Sequence, residues 1–339
     1  MGQRARLLAR GNPLMAVAAA VAAVAVAAGG VLAGVQALWP HQPGSQAGVY
    51  ASGVRHLGAI HIALPARPES WLGIYASHAP QSYAGVEAFA SATQHVPNLA
   101  SYYSGWYQSF NRAFADEAAA HGAVPAIQMD PRGVDCAAIA AGRYDSYLIS
   151  YADAVNEYGH QTGRGVVIGF GHEMNGFWYR WGWKHTRPAV FVAAWRHIVD
   201  VFRRRGADNV TWLWTVNIIR VRGGIRSPAP WWPGSSYVTW VGIDGYFLKS
   251  SWTFPPLFGP TIKAVRALTL DPILIAETGA GPLPNQPAKI TDLFAGVRAY
   301  GLLGFVWFDA AGLQDFRIAS RQALAAYARG AKAYERPAE

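Results

Sequence analysis

Cysteine is nearly absent: the chain of 339 residues contains one, Cys136. A lone thiol closes no intrachain disulfide and builds no thiolate zinc site. The fold must therefore rest on its core, which a chain of this length with 52% hydrophobic residues can supply. Charge is also scarce, at 14% Asp, Glu, Lys and Arg. That argues against a disordered chain and against one that coats nucleic acid. The formal charge is +9, and Arg4, Arg6 and Arg10 supply three of it. The remainder reads as scattered. Its densest run, Arg203-Arg204-Arg205, suits the last turn of a helix, where cations complement the dipole. No internal repeat is present, and no strand-like run is followed by a glycine-rich dinucleotide fingerprint. No cofactor, metal or nucleic-acid partner is expected.

Acidic residues are missing from the N-terminus. Residues 1–13 hold three arginines and no acid, and Leu14 to Val35 is an uncharged run of 22 apolar or glycine residues. That length spans a bilayer as a helix. After it no charged residue occurs before Arg55. Positive charge ahead of the run places the N-terminus in the cytoplasm and the rest outside. Residues 1–37 thus read as a signal peptide cut after Ala37, where Val35-Gln36-Ala37 loosely fits the small-x-small pattern, or as an uncleaved membrane anchor. The length of the run favours the anchor. Residues 38–70, with Pro, Gly, Gln and Ser, read as a linker with a short strand near Leu57–Leu64.

From Trp71 onward apolar runs alternate with helical stretches. The strands expected are Trp71–Ala76, Leu99–Ser104, Val124–Met129, Val166–Phe170, Val210–Thr215, Trp240–Tyr246, Ile273–Ala276 and Gly304–Phe308. The helices expected include Phe110–His121, Tyr144–Tyr158, Pro188–Arg205, Ile290–Tyr300 and Arg317–Tyr334. Gly122, Gly206 and Gly301 stand where C-terminal caps belong. Near-continuous apolar strands are those of a parallel sheet covered on both faces. The expected fold class is α/β: a (β/α)8 TIM barrel over 71–339, forming one domain behind the apolar segment, with a doubly wound sheet as the rival.

Two strands end in a glutamate. The first leads into Gly169-Phe170-Gly171-His172-Glu173-Met174-Asn175-Gly176-Phe177-Trp178-Tyr179-Arg180-Trp181-Gly182, and the second is Ile273-Leu274-Ile275-Ala276-Glu277-Thr278-Gly279. In a barrel both carboxyls reach the same mouth, at the C-terminal ends of the strands. Paired carboxyls among abundant tryptophans suit the cleavage of sugar linkages, with one acid protonated and one ionised. A His-Glu pair also occurs in zinc proteases, but their motif needs a histidine where this chain has Gly176. Asp130 ends the third strand, and Asp130-Pro131 reads equally as a turn.

His172-Glu173-Met174-Asn175-Gly176, with Trp178-Tyr179 and Trp181-Gly182 after it, resembles the signature of glycoside hydrolase family 26. The resemblance continues through Trp240-Val241-Gly242-Ile243-Asp244-Gly245-Tyr246, Ile275-Ala276-Glu277-Thr278-Gly279, and Trp307-Phe308 to Asp315-Phe316-Arg317-Ile318. Arg180 departs from it, standing where many relatives have proline or an aromatic. The resemblance implies a retaining endo-glycosidase acting on a β-linked polysaccharide: β-mannan first, β-glucan or β-1,3-xylan otherwise. It implies Glu173 as acid/base, Glu277 as nucleophile, and Tyr246 as a hydrogen-bond donor to the nucleophile. His172, Asn175, Trp178, Trp181, Tyr246 and Trp307 are expected to bind substrate, with Trp307 under the sugar ring. The chain is expected to be a monomer outside the cytoplasm, secreted or anchored. The alternatives are a non-hydrolytic glycan binder of the same fold and an accessory protein of cell-surface polysaccharide synthesis.

Overall fold

A computed structural model of the protein describes residues 57–281, 284–311 and 314–334. The run from Leu14 to Val35 lies outside them, with the rest of the leader and much of the linker. Among the described residues no helix is long and apolar enough to cross a membrane.

The strands β1 (Trp71–Ala76), β2 (Leu99–Gly105), β3 (Val124–Asp130), β4 (Val166–Phe170), β5 (Val210–Asn217), β6 (Trp240–Asp244), β7 (Ile273–Thr278) and β8 (Gly304–Asp309) follow one another around a closed barrel. Every neighbouring pair is parallel, and β8 closes on β1. Helices α1 (Ala84–Thr93), α2 (Arg112–Ala120), α3 (Cys136–Ala140), α4 (Asp145–Thr162), α5 (Pro188–Arg204), α6 (Phe254–Arg266), α7 (Gln286–Ala299) and α8 (Arg321–Tyr334) cover the outside. Pro188 opens α5, and Gly122, Gly206 and Gly301 adopt positive φ at helix ends, as their positions in the sequence implied. The helices α1, α3 and α6 are not among those named from the sequence, and α6 carries Pro260 inside it.

Between β5 and β6 the shell has no α-helix. Three short 3-10 turns, Val221–Gly223, Ala229–Trp231 and Ser235–Tyr237, run there instead. The outward face of β5 is covered by rings: Trp232 meets Trp214 edge-on at 5.0 Å. The α5 side chains fasten this stretch through Trp195 Nε1 to the Tyr237 carbonyl (3.0 Å) and Arg196 Nε to the Pro233 carbonyl (2.8 Å).

The interior is layered, as strand alternation requires. At the N-terminal end Trp71, Leu99, Val124, Val167, Leu213, Trp240 and Leu274 form an apolar plug. A polar layer lies above it, where Gln128 Nε2 donates to Thr215 Oγ1 (2.9 Å) and Gly169 leaves the room Gln128 occupies. Above that come the tyrosines and carboxyls of the mouth. Residues 57–68 form no strand. They cross the N-terminal face as coil, with the Ile60 and Ile62 amides bonded to the Gly206 and Asp208 carbonyls (3.0 and 3.4 Å) and Leu64 against the plug.

Candidate active site

The loop after β4 turns two adjacent side chains into the mouth. Alternation would have sent His172 away from Glu173, but β4 ends at Phe170, and Gly171 and Glu173 take φ of 55° and 56°. A glutamate in the left-handed region is strained, and such strain persists only where the surroundings enforce it. Here the Glu173 amide donates to the Thr215 carbonyl (2.9 Å), and its carbonyl accepts from Gly176 (2.8 Å). Glu173 Oε1 accepts from Asn217 Nδ2, and Oε2 accepts from Trp178 Nε1 at 2.8 Å. Burial, then the charge of Glu277, push its pKa up to about 7, against the opposing pull of His172 and the two donors.

Glu277 reaches the same space through an irregularity. Along β7, Ile273 and Ile275 face the helices, while Leu274 and Ala276 face the interior. Strict alternation would turn Glu277 outward. The register of β7 slips against both neighbours at this point, which lets Glu277 follow Ala276 inward. Its Oε1 accepts from the Tyr103 hydroxyl and its Oε2 from the Tyr246 hydroxyl at 2.7 Å. Burial, then the charge of Glu277, hold both phenols well above their ordinary pKa, so they remain donors.

Asp244, at the end of β6, completes a triad. One oxygen each from Glu173, Asp244 and Glu277 lie within 4.8 Å of one another. Both Asp244 oxygens are buried with no hydrogen-bond partner. Burial, then the charges of Glu277, Glu173 and Asp130, raise its pKa well above the carboxylate range. These are the only three ligand-type groups so gathered among the described residues. All four glutamate oxygens accept a hydrogen bond from the side chains around them.

Beside the triad lies a buried ion pair. His172 Nδ1 meets Asp130 Oδ1 at 2.8 Å, its Nε2 meets the Tyr179 hydroxyl at 3.1 Å, and Arg132 reaches Asp130 Oδ2 at 3.2 Å. Burial opposes charging the imidazole. Asp130 outweighs it, with help from Glu277 and Glu173, and the His172 pKa rises to about 9. An imidazolium thus stands next to the carboxyl triad. Asp130, readable as a turn residue, is a member of the site.

The remaining expected residues divide into two groups. Tyr246 meets the nucleophile position as described, and Trp178 is partly open while holding Glu173. Asn175 is different: its amide donates to the Asn217 and Arg226 carbonyls (2.8 and 3.0 Å) and accepts from the Asn217 amide (2.9 Å). It ties two mouth loops together. Trp181 is buried, stacked on Tyr179 at 4.3 Å, and donates to the His172 carbonyl (2.8 Å). Trp307 requires a correction. Alternation along β8 turns it outward into the helical shell, fully buried, with its indole N–H on the Phe316 carbonyl (3.0 Å). Phe308 takes the mouth position, stacked on Tyr75 at 4.6 Å. Among the other tryptophans of the connecting loops, Trp106 and Trp231 are buried, while Trp232 and Trp252 are partly open. Tyr103 and Asn217 escaped the sequence reading, although each lies at the mouth end of its strand, where barrel sites are built.

A (β/α)8 barrel with one glutamate just after its fourth strand and one on its seventh, one carboxyl raised toward neutrality and the other held by two phenols, defines a protein of the paired-carboxyl class. Residues 79–266 match the sequence profile of Glycosyl hydrolase family 26, and the chain belongs to that family. Endoglucanase H of Acetivibrio thermocellus is 29% identical over 275 residues, covering 76% of this chain and 29% of that protein. Mannan endo-1,4-beta-mannosidase A and B of Caldalkalibacillus mannanilyticus is 29% identical over 147 residues, covering 40% of this chain and 26% of that protein. The chain thus spans less than a third of the length of these two relatives. The fold is shared with the Bacillus subtilis mannanase BCman (TM-score 0.58, 20% identity, 78% of this chain and 86% of that one). It is shared too with a GH26 beta-mannanase from Bacteroides ovatus (TM-score 0.58, 17% identity, 78% and 89% covered).

Proposed function

We propose that the protein is a retaining endo-glycosidase that cuts a β-linked polysaccharide, with β-mannan as the leading substrate. The observation that carries this reading is that one oxygen of Glu173 lies within 4.8 Å of one oxygen of Glu277. Retaining enzymes hold their carboxyls about 5–5.5 Å apart, whereas inverting ones leave about 6.5–9.5 Å for a water molecule. Glu277, kept in place by Tyr103 and Tyr246, attacks the anomeric carbon. Glu173, protonated near neutral pH, gives its proton to the leaving oxygen. With the leaving chain gone, Glu173 as a carboxylate takes a proton from the water that releases the sugar from Glu277. A β-glucan is the second reading, favoured by the similarity to an endoglucanase over most of the chain. The uncharged N-terminal run behind three arginines supports a protein working outside the cytoplasm, tethered or released.

The test is to present the protein with β-mannan, mixed-linkage β-glucan and β-1,3-xylan and to follow the first product by NMR. Cleavage with the β-anomer formed first is expected. An α-anomer formed first, or intact polymers throughout, would overturn the reading.

A further inference from the structure

The basic residues are not scattered once the chain is folded. The loops of residues 171–187, 218–239 and 245–253 follow β4, β5 and β6 at the mouth. They hold seven of the chain's 29 Lys and Arg, but only one of its 20 Asp and Glu, and that one is Glu173 itself. Arg180, Lys184, Arg220, Arg222, Arg226 and Lys249 form no ion pair among the described residues. The mouth loops after β1, β2 and β7 contain no Lys, Arg, Asp or Glu, and those after β3 and β8 carry one basic and one acidic residue each. The excess charge of the mouth therefore lies along one side, beside the acid Glu173.

This side is built. Arg226 lies 4.0 Å over the Trp183 ring, and Trp183 Nε1 donates to the Gly224 carbonyl (2.7 Å). Lys184 sits 4.8 Å over Phe177. Arg220 lies 4.0 Å over Trp252, with Lys249 at 5.8 Å from the same ring. Asn175 binds the β4 and β5 loops to each other, so these cations share one frame. A stacked guanidinium is held by its face, and its in-plane N–H groups remain available to an anion. Unpaired cations held on rings beside a sugar-cutting site are matched by anionic groups on the sugar chain.

We propose that this rim recognises an anionic β-glycan, one carrying carboxylate or sulfate groups on its sugars, so that the substrate is acidic rather than neutral. The proposal rests on the glycosidase reading for its polymer and on the rim alone for its charge. Matched β-glucans bearing carboxymethyl, sulfate or neutral hydroxyethyl groups serve as probes. Binding is measured by calorimetry on the full chain carrying Glu277→Gln, so that cleavage does not enter. The acidic polymers should bind roughly tenfold tighter than the neutral one, and the more tightly bound of the two names the anion. The preference should fade as salt approaches about 1 M, where screening shortens to about 3 Å. Lys184→Gln, Arg220→Gln and Arg226→Gln together should abolish it. Lys263→Gln, Arg329→Gln and Lys332→Gln, an equal charge change on exposed helix positions away from the mouth loops, should leave it intact. Equal binding of acidic and neutral polymers overturns the proposal. So does a preference that survives the rim changes, or one that the control changes remove equally. Failure of the hydrolase reading would show separately, as unmodified chain that cuts neither these polymers nor β-mannan.

Discussion

Replacing Glu173 by Gln should abolish turnover and at the same time make the protein more stable, by an amount that grows with pH. In the folded chain burial raises the Glu173 carboxyl from 4.5 to about 7. An unfolded glutamate sheds its proton near pH 4.5, whereas the folded one keeps it until about pH 7. Across that window the native state binds more protons, so stability falls as pH rises, and above both values the whole cost is present. A shift of about 2.5 units at 1.36 kcal/mol each makes that cost about 3 kcal/mol. Glutamine has the same shape and no charge. Its amide N–H needs an acceptor, and the unpartnered Oδ1 of Asn217 supplies one if that side chain turns over. Titrating groups that do not feel the Glu173 charge cancel in the difference, whereas His172 and Asp244 feel it and shift with it. The variant should therefore match the parent near pH 4.5 and melt roughly 6 °C higher at pH 8.5, at ~2 °C per kcal/mol for a chain of this size. Melting both proteins across pH 4.5–8.5 by circular dichroism is the assay. A difference in melting temperature that stays flat with pH would refute the claim that burial raises this carboxyl.

Activity should decline as pH rises through about 7, because Glu173 must carry its proton to assist the leaving oxygen; a pH profile of kcat/KM that keeps climbing past pH 8 would contradict the assignment. With an activated aryl glycoside, azide should rescue Glu173→Ala and give the β-glycosyl azide, and with Glu277→Ala it should give the α-product. The same anomer from both variants would show the roles to be misassigned. Tyr246→Phe removes one donor from Glu277 and should lower kcat about 10- to 100-fold with little change in melting temperature, which steady-state kinetics and a thermal melt check together. Cell fractionation should find the protein with membranes, and a soluble product beginning near residue 38 would exclude the anchor.

The strands were legible because a parallel strand buried on both faces can be little but apolar, and β1 and β4 begin and end where the apolar runs do. The two glutamates were legible because charge at the end of such a run has few other uses. What remained hidden depended on how the barrel closes. Asp130 shows its role only when β3 and β4 lie side by side and His172 turns inward at the left-handed residues beside it. Trp307 and Phe308 are adjacent aromatics, and the parity of β8, counted from where it starts, decides which one sees the mouth. The slip in β7 that brings Glu277 inside leaves no mark in the sequence, since the residues around it are ordinary strand formers.

The stretch between β5 and β6 carries a consequence of another kind. A helix in that place would have to keep its length and phase to cover β5, and any insertion would rotate its apolar stripe away from the barrel. Indole rings on irregular chain impose no such bookkeeping: Trp214 stays covered wherever Trp232 can reach it, whatever lies between. The segment is thus free to lengthen or shorten at its mouth end while its outer end stays fastened to α5. A lineage carrying this barrel can remodel one bank of its cleft by changing loop length alone, with the two glutamates and their strands untouched.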